Sequence, residues 1–274
     1  MGHDYHRPAA GHRSSRGNPE RGDAVSTPNT TEKAFEQVIE DAVRQYRSHR
    51  DPREPLFAFG LCVAHFAVDP ELVFVTTHPQ GRHTRFLPFN QGCDGGAGNP
   101  PTWRGFSTAY HWERLWARES VLDLVQHFLH VVDELDDKGK KTGRRLLIFP
   151  RYQQLDAVRR LVTDARDQGV GQRYLVQRSA GSGKPNCIAW LAHRLAVLHD
   201  DTDRRVFDSV IVMTDRRVLD RQLQRTVRQF EKTLGVVQPI DQTSKQLKEA
   251  LEHGKDIIVT TLFPFAPAAR YARS

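Results

Sequence analysis

Sulfur is scarce in this sequence: three cysteines and two methionines in 274 residues. Cys62, Cys93 and Cys187 are far apart and form neither a CxxC pair nor a paired-histidine metal spacing. That excludes a disulfide-framed secreted domain and a zinc-ribbon site, and three reduced thiols fit a cytoplasmic protein. Long apolar runs are also missing. No stretch approaches the roughly 20 apolar residues that a membrane helix needs. Residues 1–30 lack the apolar segment of a secretory signal. These residues are rich in His, Arg, Gly, Ser, Pro and Asn and hold almost no large apolar side chain. Such a segment buries too little surface to offset its ordering entropy, so a disordered leader is expected. No internal repeat is visible.

What remains is enough for one large domain or two small ones. Hydrophobic residues make up 38% and charged residues 27%, with a mean hydropathy of −0.58. The formal net charge is +7, with arginine outnumbering lysine. A basic surface attracts phosphate backbones through counterion release.

The apolar spacing changes character along the chain. In residues 32–47, Phe35, Val38, Ile39, Ala42, Val43 and Tyr46 recur at the three/four spacing of one helix face. Three short β-rich runs follow, at 62–66, 72–77 and 84–88, separated by turn residues, which predicts a small meander. Residues 89–101 (FNQGCDGGAGNPP) form a Gly/Asn/Pro connector. Residues 110–131, rich in Trp and Leu, are expected to be one helix, with Trp103, Trp112, Trp116 and Trp190 as packing residues. His127 and His130 stand three apart, but helix-surface histidines are far commoner than metal sites, and no metal ligand or catalytic residue is assigned. The charged stretch 133–144 is expected to be a hinge between a first unit, 31–132, and a second, 145–262. The tail 263–274 reads as a foreign end.

In the second unit, strand and helix patterns alternate. Helical spacing over 152–166 is followed by a short strand at 174–177. A strong amphipathic helix covers 186–199, a buried-type strand 208–214 and a basic helix 216–232. A last strand covers 256–261. Alternation of this kind predicts a parallel, doubly wound sheet. The 256–261 strand is expected at its unpaired edge.

Between the 174–177 strand and the 186–199 helix lies Ser179-Ala180-Gly181-Ser182-Gly183-Lys184-Pro185. Glycines let backbone N–H groups converge on phosphate, the helix start adds positive dipole, and a lysine reaches the outer phosphates. The alternative, a glycine turn beside a surface lysine, is outweighed by this strand-to-helix context. The position after the lysine should carry a Mg²⁺-binding hydroxyl, and it is Pro185. Proline suits the first turn of a helix yet removes both a metal ligand and an amide donor. Arg178 stands where the general motif has its first glycine, and no Asp or Glu follows Thr261. Serine in place of Pro185 is therefore not expected to restore hydrolysis by itself.

The strings DPREPL (51–56), RFLPFNQGCDGGAGNPP (85–101), IFPRYQQLDAVR (148–159), SAGSGK (179–184), IAWLAHRL (188–195), FDSVIVMTDRRVLDRQL (207–223) and IIVTT (257–261) occur in an order that resembles the restriction (motor and endonuclease) subunit of Type I restriction–modification enzymes. The resemblance runs from about residue 38 to 265. It implies an α/β fold: an incomplete RecA-like, superfamily 2 helicase lobe preceded by a small α+β remnant of a nuclease domain. It implies ATP, held by Gln154 at the adenine and by Ser179, Gly181, Ser182, Gly183 and Lys184 at the phosphates. It further implies Mg²⁺ with an incomplete ligand set. Duplex DNA would be touched by Thr214, Arg216, Arg217, Thr260 and Thr261, and methylation and specificity subunits would be partners. The family's Asp…Glu-x-Lys nuclease motif has no counterpart between residues 31 and 51. The expectation is therefore a truncated, internally deleted, non-catalytic copy with at most residual ATP and DNA binding. The alternative is an interaction module that regulates a Type I methyltransferase complex.

Overall fold

The computed structural model describes residues 39–262, apart from 52, 104, 137, 138, 180, 216, 234, 241 and 242. The expected leader, the tail 263–274 and Arg216 lie outside the described residues. Helix α1, described over 39–44, continues as a wide π turn, Gln45–His49. Strands β1 (His65–Val68), β2 (Val73–Thr76) and β3 (Leu87–Pro88) then form the expected antiparallel meander, in the order β1-β2-β3. Its alternate side chains Ala67, Val73 and Val75 are buried, as a half-covered sheet requires.

The next segment departs from a single helix. It opens with a π turn, His111–Leu115, and breaks at Trp116 and Ala117. It resumes as α2 (Arg118–Asp123) and ends in a second π turn, Leu124–Phe128. From His130 the chain is already strand. β4 (His130–Leu135) pairs with β5 (Lys141–Ile148) as an antiparallel hairpin. The charged stretch read as a hinge is therefore the turn end of that hairpin. Its Lys141 ammonium pairs with the Asp133 carboxylate across the strands, at 2.6 Å. Charge was a poor guide here because cross-strand ion pairs and exposed strand faces tolerate it.

Helices α3 (Tyr152–Gln168), α4 (Lys184–Ala196), α5 (Arg217–Gln229) and α6 (Ser244–Glu252) pack with a three-stranded parallel sheet. That sheet comprises β6 (Val210–Thr214), β7 (Val237–Pro239) and β8 (Ile257–Thr261), in the order β6-β8-β7. β8 is thus central rather than an edge, with Ile257, Ile258, Val259 and Thr260 fully buried. The sequence pattern missed β7, whose pairing supplies the second neighbour. β6 takes the outer position, and its Ile211 and Met213 are exposed, unlike a fully buried strand. The 174–177 stretch forms no strand: Leu175 is 93% exposed and residues 172–179 are irregular. β-formers make a strand only where a ladder partner exists, and none is present beside them among the described residues.

One apolar core joins both expected units, running from Val73, Phe89 and Phe128 through Trp190 to Val227 and Ile257. Trp190 is its pivot. Its indole N–H donates to the Phe128 carbonyl at 3.0 Å, and its ring lies 5.7 Å from Phe128 and 5.4 Å from Phe230. Trp103 and Trp112, by contrast, are exposed.

Beside this pivot the Asp123 carboxylate accepts from Arg194 Nη1 at 2.6 Å, Arg159 Nε at 2.8 Å and His127 Nδ1 at 3.1 Å. Three elements, α2, α3 and α4, are tied to one carboxylate. Burial alone would raise its pKa, but the His127 hydrogen bond and the two guanidinium charges outweigh burial and bring it down to about 2.

His130 stacks on Phe230 at 4.2 Å, and burial pushes its pKa down to about 4. A depressed histidine binds its proton less readily folded than unfolded. Its contribution is intact above the unfolded value near 6.5 and is lost as pH falls toward 4. Thermal melts should therefore show a midpoint that declines between pH 6.5 and 4. His130→Phe, which keeps the stacking, should flatten the decline; an unchanged slope would show that other groups control it.

Candidate functional site

The site is assembled where α3, α4 and the segment between them meet. Gly181 and Gly183 both have φ of 73°, a left-handed conformation costly for any residue with a Cβ. Gly183 sits at the start of α4 in the αL region, no side chain caps the helix, and no acidic residue lies in its first turn. The first helical amides are left to an external acceptor, and Pro185 at the second position contributes none.

Gln154 fixes which way those amides face. It is 3% exposed, and its Nε2 donates to the carbonyls of Ser182 at 3.1 Å and Gly183 at 3.0 Å. Its Oε1 accepts from the Arg151 amide at 2.8 Å. In a trans peptide the C=O and the following N–H point in opposite directions. With the carbonyls of Ser182 and Gly183 turned toward Gln154, the N–H groups of Gly183 and Lys184 are turned away from it. The two amides and the helix dipole then act on the same side, the arrangement that holds an anionic oxygen. The fit is tight: a Cβ on Gly183 would come within 2.5 Å of Gln154 Nε2. Ser182 Oγ is buried and has no hydrogen-bond partner among the described residues.

Both ends of the Gln154 amide meet backbone groups, so the side chain expected at the adenine also braces the loop. Ser179 is exposed at the loop entrance, and Lys184 is exposed at its exit. The Arg178 guanidinium donates to the Gln153 carbonyl, pinning the approach to the loop onto α3.

At the other end of α4, the Ala196 carbonyl accepts from Arg205 Nη2 at 2.6 Å. The same guanidinium nitrogen reaches Asp256, just before β8, at 2.7 Å. The tail of α4 is thus anchored at the amino ends of the parallel strands, so its head and the glycine loop lie toward their carboxyl ends. That is where open α/β sheets bind ligands.

The same sheet ends carry the expected DNA-contacting residues. Thr214 and Thr261 are register partners on β6 and β8. Thr260 is fully buried, and its hydroxyl donates to the Thr261 carbonyl at 3.2 Å, which removes it from any surface contact. Arg217 opens α5. Further along α5, Arg221, Arg225 and Arg228 are exposed while Leu223 and Val227 are buried, giving the helix a basic outer face.

ATP fits the loop: uncapped amides, a lysine and the glycine geometry are all present. Mg²⁺ does not fit as it would in a complete phosphate loop. Pro185 offers no hydroxyl where a complete phosphate loop places one metal ligand. None of the helices among these residues is long and apolar enough to cross a membrane.

Sequence reasoning missed one wall of the site. The Gly/Asn/Pro connector folds back against α3, with Gln153 Nε2 donating to the Asn90 carbonyl at 2.8 Å. Between this connector and residues 176–179 and 182 lies a cleft of about 760 Å³. The density of glycines at 92, 95, 96 and 98 was the available signal.

Residues 153–273 match the family described as SWI2/SNF2 ATPase. No curated protein and no solved structure matches the chain. The matched segment begins beside Gln154 and contains the glycine loop, α4 and the whole parallel sheet, which supports a superfamily 2 helicase-like ATPase segment and a partial RecA-like fold.

Proposed function

We propose that this chain is the nucleotide-holding part of the first motor lobe of a Type I restriction subunit, binding ATP without turning it over. The observation that carries the reading is the left-handed Gly181/Gly183 turn at the head of α4, followed by Lys184 and Pro185. The SWI2/SNF2 ATPase match supports the ATPase class. The restriction-subunit assignment rests on the resemblance of the ordered strings, and with it the descent of residues 31–132 from a nuclease domain. In this reading duplex DNA lies along the α5 basic face near Thr214 and Thr261, and methylation and specificity subunits are partners.

The chemistry follows from what the loop retains. The amides of Gly183 and Lys184 and the Lys184 ammonium neutralise the phosphates and fix their position. With no hydroxyl after Lys184, a metal that would balance developing charge during hydrolysis lacks the protein ligand expected at that position. Titration of the purified chain with a fluorescent ATP analogue tests this. Lys184→Ala should weaken binding by about tenfold or more, since one charge-assisted contact is lost. Wild-type affinity should hardly change on adding Mg²⁺, whereas Pro185→Ser should make it Mg²⁺-dependent. ATP turnover by the wild-type chain above a Lys184→Ala control would overturn the non-catalytic reading.

A further inference from the structure

Gln154 braces the glycine loop, and a cleft opens beside that loop. We infer that the cleft between the Gly92–Gly98 connector and residues 176–179 and 182 receives the ribose and base of a nucleoside triphosphate whose phosphates rest on the glycine loop. The inference rests on the nucleotide reading above and goes further, because it makes a segment upstream of the matched ATPase region a wall of the site.

Three observations carry it. First, the cleft is continuous with the phosphate loop: Ser179 and Ser182 line it as well. Its volume of about 760 Å³ lies in the range of small-molecule sites.

Second, its wall is already built. Within the connector, the Gly92 amide donates to the Gly98 carbonyl at 2.8 Å and the Gly96 amide to the Cys93 carbonyl at 2.7 Å. Asn99 accepts from the Gln91 amide at 2.8 Å and donates to Glu71 O at 2.7 Å and Asn90 Oδ1 at 3.0 Å. A preformed wall spares the ligand the cost of ordering it.

Third, its chemistry suits a nucleoside. Arg151, Arg178 and a single carboxylate, Asp94, line it, an excess of positive charge that suits the end of the cleft next to the phosphates. Gln91, Gln153 and Gln177 line it with amides, which both donate and accept as base and ribose edges require. Side-chain-free glycine backbone on the opposite wall lets a flat ring approach closely.

The test compares ATP with inorganic triphosphate on the purified full chain. ATP should bind at least about tenfold tighter, because only ATP fills the cleft. Ala97 is exposed on the connector and lines the cleft, so Ala97→Trp fills it without touching the phosphate loop. That variant should lose the preference for ATP while keeping wild-type triphosphate affinity; Lys184→Ala should weaken both ligands. Equal affinity for ATP and triphosphate would overturn the cleft proposal and leave the phosphate-loop reading standing. If neither ligand bound, both would fall.

Discussion

Trp190→Ala is expected to lower the stability of this protein by about 3–5 kcal/mol, the range for deleting a buried tryptophan. The residue is 1% exposed, touches Phe128 and Phe230 and donates a buried hydrogen bond to the Phe128 carbonyl. The cavity would open at the point where the meander-and-hairpin part meets the parallel sheet. Because one core cluster runs through both, the loss should be shared. Urea unfolding followed by near-ultraviolet dichroism and by tryptophan fluorescence should give coincident transitions in the wild type, displaced together in the variant. Two separated wild-type transitions would mean that the shared core does not couple the parts.

Gly183→Val should remove nucleotide binding, with a drop in affinity of about tenfold or more, while leaving the fold largely in place. Two effects add. The αL backbone at φ of 73° costs a residue with a Cβ roughly 1–2 kcal/mol. The new side chain would also displace the Gln154 amide that now lies 2.5 Å from the Cβ position. Once Gln154 moves, the carbonyls of Ser182 and Gly183 are released and the paired amides lose their common direction. Gly181→Val is the internal comparison: its φ is the same, but no atom lies within 4 Å of its Cβ position. It should lose stability through backbone strain with a smaller loss of binding. Equal binding defects would show that backbone strain, and not the Gln154 brace, sets the loop.

Periodicity located most elements because it reports the face that each buries. The 3.6-residue spacing in 152–166 and 186–199 appears as α3 and α4, and the apolar run in 257–261 as β8. It failed where an element depends on a partner elsewhere in the chain. Leu175 and Val176 have no ladder partner among the described residues, whereas Val237 to Pro239 is short, contains proline, and is a strand because β8 lies beside it. The same limit applied to the site. Gln154 was visible as a residue upstream of a glycine loop, but its hydrogen bonds to Ser182 and Gly183 span 28 and 29 positions.

Sequence alone therefore determined the local chemistry: a glycine turn able to hold phosphate, a lysine after it, and a proline that removes a metal ligand and an amide. These properties belong to single residues and their neighbours, and no packing can add a hydroxyl to Pro185. Tertiary structure alone decided which strand is central, which loop carbonyls Gln154 holds, and that the Gly92–Gly98 connector stands across from residues 176–179 and 182. Each of those depends on groups far apart in the chain meeting in space, and the energy of a hydrogen bond or a buried ring is set by its partner, which local pattern does not record.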